Sequence, residues 1–371
     1  MGIYVVIFIL LLLVAYKENQ RIVRPQLKQD YSKWTDRDIF IFVFSVSIIV
    51  IAGIRWRIGT DWDSFLTDFR FFKKVSWAVI QNDIYGLTYG SGYVYVTYFF
   101  AKYVGNYSVY LAFQAFFIVV CVYPIIVRYS KYPVLSFLGL FAFSFGYAFA
   151  VPRSGFAMAI CFRAFDALLR NKKLLFILLV LLATLFHNTA IIFLAIFFFD
   201  KIKLSIPWVI IVGIVSCVIS IFAKSFLLKI ATLSFVPLSY SVRIFEYVLG
   251  HVDYGGVSSW IRILTRGFVL VLIFLFLWNK RKDRRVNLIV NMYVVSSAIY
   301  LAVSKLSEVL MRLSYYFEDV SQFIIFAECV ASCKTKSNRF VLWSILMLFF
   351  VGKLMSRLVG NPLIVPYRTI F

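Results

Sequence analysis

Two arginines and two aspartates stand together in the stretch Arg55-Trp-Arg57-Ile-Gly-Thr-Asp61-Trp-Asp63. Guanidinium groups grip anions through paired hydrogen bonds, so this stretch is either a seat for an anionic partner or a solvated loop with local ion pairs. Gly59 permits a sharp turn there, and Trp56 and Trp62 suit a head-group boundary. A third arginine follows a proline in Pro152-Arg153-Ser154-Gly155. Proline fits a first helical turn, which places Arg153 at the end of a helix dipole that favours anions. A cation kept there calls for an anionic partner or reaches for lipid head groups. His187, one of two histidines, breaks an apolar run at His187-Asn188-Thr189 and can exchange a proton near neutral pH, or be merely structural. Arg312 opens a helical stretch with Tyr315, Tyr316, Glu318 and Asp319 on the following turns. The acids lie roughly 9–10 Å further along, inside a membrane, where they need partners or lock helices together. Arg163 and Asp166 have the spacing of a structural pair on one helix. Tyr240, Tyr247 and Tyr254 recur every seven residues around Arg243 and Glu246, facing lipid or a ring-shaped ligand.

The elements that position these residues are dictated by hydropathy. Of 371 residues, 62% are apolar, with 41 Phe and 23 Tyr, and mean hydropathy is +0.88. No water-surrounded core buries that excess. A bilayer offers no hydrogen bonds, so the apolar runs must be helices. The expected fold class is all-α: one polytopic domain over 1–371 with about twelve transmembrane helices, some short or re-entrant. The formal charge of +22 (39 Lys and Arg against 17 Asp and Glu) fits basic loops against anionic lipid and not nucleic acid, for which no motif is present. Metal-ligand spacing and a phosphate-binding glycine loop are also missing, so no metal or cofactor is expected. The five cysteines read as small core residues. The N-terminal MGIYVVIFILLLLVAY reads as an uncleaved membrane segment.

Loop charge sets the orientation. Basic clusters at 17–37, 128–131, 170–173, 280–285 and 334–339 mark cytoplasmic loops. With 170–173 and Lys201/Lys203 on one side, the apolar stretch 174–199 crosses an even number of times, as two short helices with His187 at their outer turn. Both termini then lie outside. Segment 85–104 is interfacial or re-entrant, and long outer loops fall at about 55–106 and 224–263. Arg55, Arg57, Asp61, Asp63, Arg153, His187 and Arg312 all gather at the outer face.

In this order the elements RWRIGTDWD (55–63), PRSGFAMAI (152–160), LFHNTA (185–190), Arg312 with Tyr316-Phe317, and Pro366-Tyr367-Arg368 resemble the EpsG family of Wzy-like polysaccharide polymerases. Ser-Gly follows Arg153 where Arg-Gln is commoner, which leaves the subfamily open. The resemblance implies an O-antigen or exopolysaccharide polymerase at the outer face of the bacterial cytoplasmic membrane. Its substrates would be oligosaccharide repeat units on polyprenyl pyrophosphate, and it would need neither nucleotide sugar nor metal. Arg55, Arg57, Arg153, Arg312 and Tyr316 would then bind substrate, the arginines at the diphosphate. Asp61, Asp63 or His187 would serve the attacking hydroxyl. Implied partners are lipid-linked oligosaccharides, membrane lipid and a chain-length regulator. A lipid-linked glycan flippase and an O-antigen ligase are the rival readings, with a sugar acyltransferase behind them.

Overall fold

Apolar runs too long for turns become helices throughout. The computed structural model describes residues 2–20, 36–59, 61–82, 89–233, 238–249, 259–306, 308–359 and 364–371. Apart from one isolated bridge between Arg55 and Thr369, the regular structure of these residues is helical. The helices are α1 (Gly2–Gln20), α2 (Asp36–Ile54), α3 (Trp62–Lys74), α4 (Trp77–Asn82), α5 (Ser91–Phe99, ending in a π turn), α6 (Tyr107–Tyr129), α7 (Pro133–Ala150) and α8 (Pro152–Leu169). They continue as α9 (Lys173–Thr184), a 3-10 stretch (Asn188–Ala195) leading into α10 (Ile196–Phe199), α11 (Ile206–Ala231), α12 (Leu238–Leu249) and α13 (Ser259–Leu272, extended by π and 3-10 turns to Lys280). The last three are α14 (Arg284–Val303), α15 (Glu308–Ser332) and α16 (Lys336–Leu358).

Six helical stretches among the described residues are long and apolar enough to cross a membrane: Gly2–Gln20, Tyr107–Tyr129, Ile206–Ala231, Ile261–Lys280, Arg284–Val303 and Lys336–Leu358. Helix α11 shows why: Ile221, Phe222 and Phe226 are more than 60% exposed, an apolar surface only lipid covers well. Six is fewer than the twelve expected: Asp38–Ile54, Pro133–Phe143, Lys173–Thr184 and Asn188–Phe199 are apolar but shorter, and α8 and α15 carry charges.

The chain packs as two units, Met1–Ile191 with Phe326–Phe371, and Ile192–Ile325. In the first, α6 packs against α2 and α8, α9 runs along α8, and α1 and α16 flank α7. Its helices alternate in direction, so side chains sort to two ends. At one end Glu18 accepts hydrogen bonds from the first amides of α7 (3.1 Å each), a carboxylate on a helix N-terminus. Arg128 meets Asp166 at 2.6 Å and Lys131 meets Glu328 at 3.2 Å at that same end. The opposite end holds Tyr4, Arg55, Trp62, Tyr107, Arg153 and Tyr367. The second unit is built on α14, packed along α11. Arg284 clasps Asp200 with both arms (2.8 and 2.6 Å), and Asn291 donates to the carbonyls of Phe199 and Ile202.

Both long inter-helix regions carry helices of their own: within 55–106, Trp62, Phe65, Leu66, Phe69 and Phe72 form one apolar face of α3, and 224–263 holds the end of α11, α12 and the start of α13. Two sequence expectations change, at Asp166 and at Cys217. Asp166 does not pair with Arg163: it is buried and turned toward α6, where Arg128 and the Tyr129 hydroxyl (2.8 Å) take its charge, while Arg170, one turn along its own helix, lies 3.7 Å away. Four cysteines are buried, but Cys217 is exposed on α11. The side chains of Tyr240, Arg243, Glu246, Tyr247 and Tyr254 lie outside the described residues, as do Arg21, Arg24, Lys28 and Lys33 of the first basic loop.

Candidate active site

The turn after α2 is shaped by its backbone. Arg57 has φ +49° and Gly59 φ +115°, the latter a conformation that favours glycine. The chain doubles back so that Asp61 occupies the position before α3, its carbonyl taking the amide of Phe65 at 3.0 Å. Asp63, in the first turn of α3, lies 3.6 Å from Arg57, and both side chains are well exposed (75% and 61%). An ion pair that wet is weak. Arg55 differs: it is 6% exposed. Its guanidinium carbon is 5.6 Å from the Trp62 ring centroid, and Trp62 meets Tyr107 edge-on at 5.1 Å. Burial pulls the Arg55 pKa down, while the nearby Tyr107, Tyr4, Tyr367 and Tyr110 oppose that.

The C-terminal residues close over this arginine. The amide of Trp56 donates to the Arg368 carbonyl (2.9 Å), and the amide of Ile370 to Ile54 (3.0 Å). The Tyr367 hydroxyl donates to the Ile51 carbonyl, and its ring meets Tyr4 edge-on at 5.7 Å. The Pro366-Tyr367-Arg368 element thus reaches the 55–63 element, more than 300 residues earlier, through backbone pairing.

Pro152 opens α8 as expected, with Arg153 in the first turn. The Arg153 guanidinium lies over Tyr89 at 4.6 Å and within 6.0 Å of the Tyr93 ring centroid, a cation–π arrangement. A carboxylate lies near it: Asp68 of α3, which accepts a hydrogen bond from Tyr89 and feels the Arg153 charge. Burial raises the Asp68 pKa, and Tyr89 and Arg153 act to lower it. Its Oδ2 atom is buried and has no hydrogen-bond partner among the described residues. Sequence reading missed Asp68, whose i+5 offset from Asp63 carries no motif; the tyrosine-rich YGSGY stretch at 89–93 was its only signal.

His187 sits in the break between α9 and the 3-10 stretch, as the two-helix reading expects, with Thr189 Oγ1 2.5 Å from Nδ1. This break is tied to α5. The amide of Gly92 donates to the Leu185 carbonyl at 2.8 Å, and a β-carbon on Gly90 would stand 2.1 Å from that oxygen. Phe186 packs on Phe156 of α8 at 5.2 Å. Arg55, Arg57, Asp61, Asp63, Arg153 and His187 therefore share one end of the first unit, joined by aromatic rings.

Arg312 and Tyr316 belong to the second unit, on α15. Arg312 is half-buried and Tyr316 is 3% exposed. Six residues beyond Arg312, Glu318 pairs with Arg266 of α13, a residue the sequence reading passed over. Arg266 lies 3.6 Å from the Tyr300 ring centroid. Glu318 thus has the partner its depth requires. Among the described residues no group of three or more His, Cys, Asp or Glu is placed to hold a metal ion.

Six membrane-length helices among the described residues and an end lined with arginine, carboxylate and tyrosine define a polytopic membrane protein with a polar site at one end of its first unit. The EpsG family model matches residues 38–369, so the chain belongs to the EpsG family, which includes Wzy-like polymerases. No curated protein and no solved structure matches it.

Proposed function

We propose that this chain is a polysaccharide polymerase of the bacterial cytoplasmic membrane. It joins repeat units carried on polyprenyl pyrophosphate at the outer face, and the lipid diphosphate departs. Family membership supports a polymerase-like role. The observation that carries the reading is the gathering of Arg55, Arg57 and Arg153 with Asp61, Asp63 and His187 at one end of the first unit, while the basic residues Arg128, Lys131 and Arg170 hold the other. The positive-inside rule makes that second end cytoplasmic and the first one external.

A departing diphosphate carries negative charge that fixed guanidinium groups stabilise. Arg153 is the best-positioned donor, since Tyr89 and Tyr93 hold its plane. Arg57 is exposed and reaches solvent-borne phosphate, whereas Arg55 is buried under the C-terminal residues and supports the site from beneath. Arg312 and Tyr316, in the second unit, remain substrate-binding candidates on the family resemblance. Asp61, Asp63 and His187 are the groups near the attacking hydroxyl. The lipid tail lies among apolar helices.

The test is reconstitution of the pure protein into liposomes with lipid-linked repeat units, followed by sizing of the products. A ladder of multiples is expected. Unchanged single units that merely move across the bilayer would identify a flippase, and transfer of glycan only to a lipid A core would identify a ligase.

A further inference from the structure

Asp61 and Asp63 are poor places to take up a proton from a sugar. Asp63 is 75% exposed and beside Arg57, and Asp61 precedes α3 at the end of an open turn. Asp68 lies one to two turns further along α3, next to the buried faces of Phe65 and Phe69. Tyr89 supplies one hydrogen bond, and Arg153 lies across the same tyrosine ring. The charged and titratable groups facing Asp68 from neighbouring elements are Tyr89, Tyr93, Tyr107, Tyr110 and Arg153. All but Arg153 are tyrosines. An unmet buried carboxylate oxygen is costly unless a ligand hydroxyl satisfies it. Asp68, Tyr89 and Arg153 are each only half-buried, so the cluster reaches the surface. The broad torsion of a carboxylate lets either oxygen turn toward a ligand.

We propose that Asp68 is a catalytic residue of this site, accepting the proton of the incoming sugar hydroxyl while Arg153 faces the departing diphosphate. This rests on the polymerase reading above. The hydroxyl oxygen forms the new bond to the anomeric carbon. The bond from that carbon to the diphosphate oxygen breaks, and the diphosphate leaves with the electron pair. The proton passes to Asp68 and then to water. The desolvation that raises its pKa makes Asp68 a stronger base than an exposed carboxylate, and Tyr89 keeps it from being protonated too early.

The experiment uses the full-length protein in liposomes with synthetic polyprenyl-diphosphate-linked repeat units. Asp68→Asn is expected to slow polymerisation by about 100-fold or more, the usual size of a general-base contribution, with donor binding changed by less than about threefold. Asp68→Glu recovers part of the rate. The wild-type rate rises with pH as Asp68 loses its proton. Tyr89→Phe removes a hydrogen bond that favours the charged carboxylate, so the midpoint of that rise moves to higher pH. Should Asp68→Asn fail to fold, the Tyr89→Phe profile still decides. Polymerisation by Asp68→Asn within about fivefold of wild type, or a midpoint unmoved in Tyr89→Phe, overturns the role of Asp68 and leaves the polymerase reading standing. A wild-type protein that makes no polymer removes both.

Discussion

At the scale of single residues, burial separates cations that share a charge. Arg57 is wet and paired with an equally wet Asp63, an arrangement worth little in either direction. Arg153 has two aromatic rings fixing its plane. A planar, pre-oriented guanidinium loses less freedom on meeting a phosphate than a Lys ammonium does. Arg153→Ala is therefore expected to reduce polymer formation on the order of 100-fold, equivalent to about 3 kcal/mol of lost stabilisation. Arg153→Lys should fall between, since it keeps the charge and loses the stacked plane. Polysaccharide length on gels, set against the amount of protein in the membrane, reads this out, and normal long chains in the alanine variant would dismiss Arg153 from the site. Asp166 teaches the same lesson from the other end of the unit: spacing offered Arg163, but the carboxylate is buried on the face where Arg128 and Tyr129 are.

Among elements, the decisive contact is between the start of α5 and the break after α9. The break leaves the Leu185 carbonyl without its helical partner, and the Gly92 amide supplies one. Two backbones approach that closely only because position 90 has no side chain. Gly90→Ala places a β-carbon against a rigid carbonyl and should cost about 1–3 kcal/mol, the range for forcing atoms into a packed site. A lowered melting temperature in detergent is the expected result, with polymerisation falling too because Tyr89 and His187 flank the contact. Gly352→Ala, with open space around it, serves as the neutral control. A Gly90→Ala protein as stable as that control would show that the two segments are not joined in this way. The 3-10 winding of Asn188–Ala195 adds to the same picture, since its eight residues run longer than such stretches usually do.

For the molecule as a whole, the question is which end faces out. Within the first unit, Glu18, Arg128, Lys131, Asp166 and Glu328 share one end through mutual contacts, and Tyr4, Arg55, Arg153 and Tyr367 share the other. The alternation of helices forces this division, and the positive-inside rule then orients it. A cysteine in place of Asn188 should react with a membrane-impermeant reagent in intact cells. Reaction only after permeabilisation would turn the unit over and place Arg153 on the cytoplasmic side, which a lipid-diphosphate polymerase acting outside cannot accommodate.

The helical frame was legible in the sequence because lipid leaves apolar backbone no alternative. The long runs of α1, α6, α11 and α14 announce themselves by length and hydropathy alone, and the His-Asn-Thr break marks the one place where 174–199 must interrupt its helix. The arginines were visible too, because charge is conspicuous beside so much hydrocarbon. What one-dimensional spacing cannot carry is which side chains face each other across helices. Asp68 meets Tyr89 and Arg153, Glu318 meets Arg266, and the residues after Pro366 cover Arg55, each from a distant part of the chain. Those meetings depend on helix rotation and close packing, which only the folded chain decides.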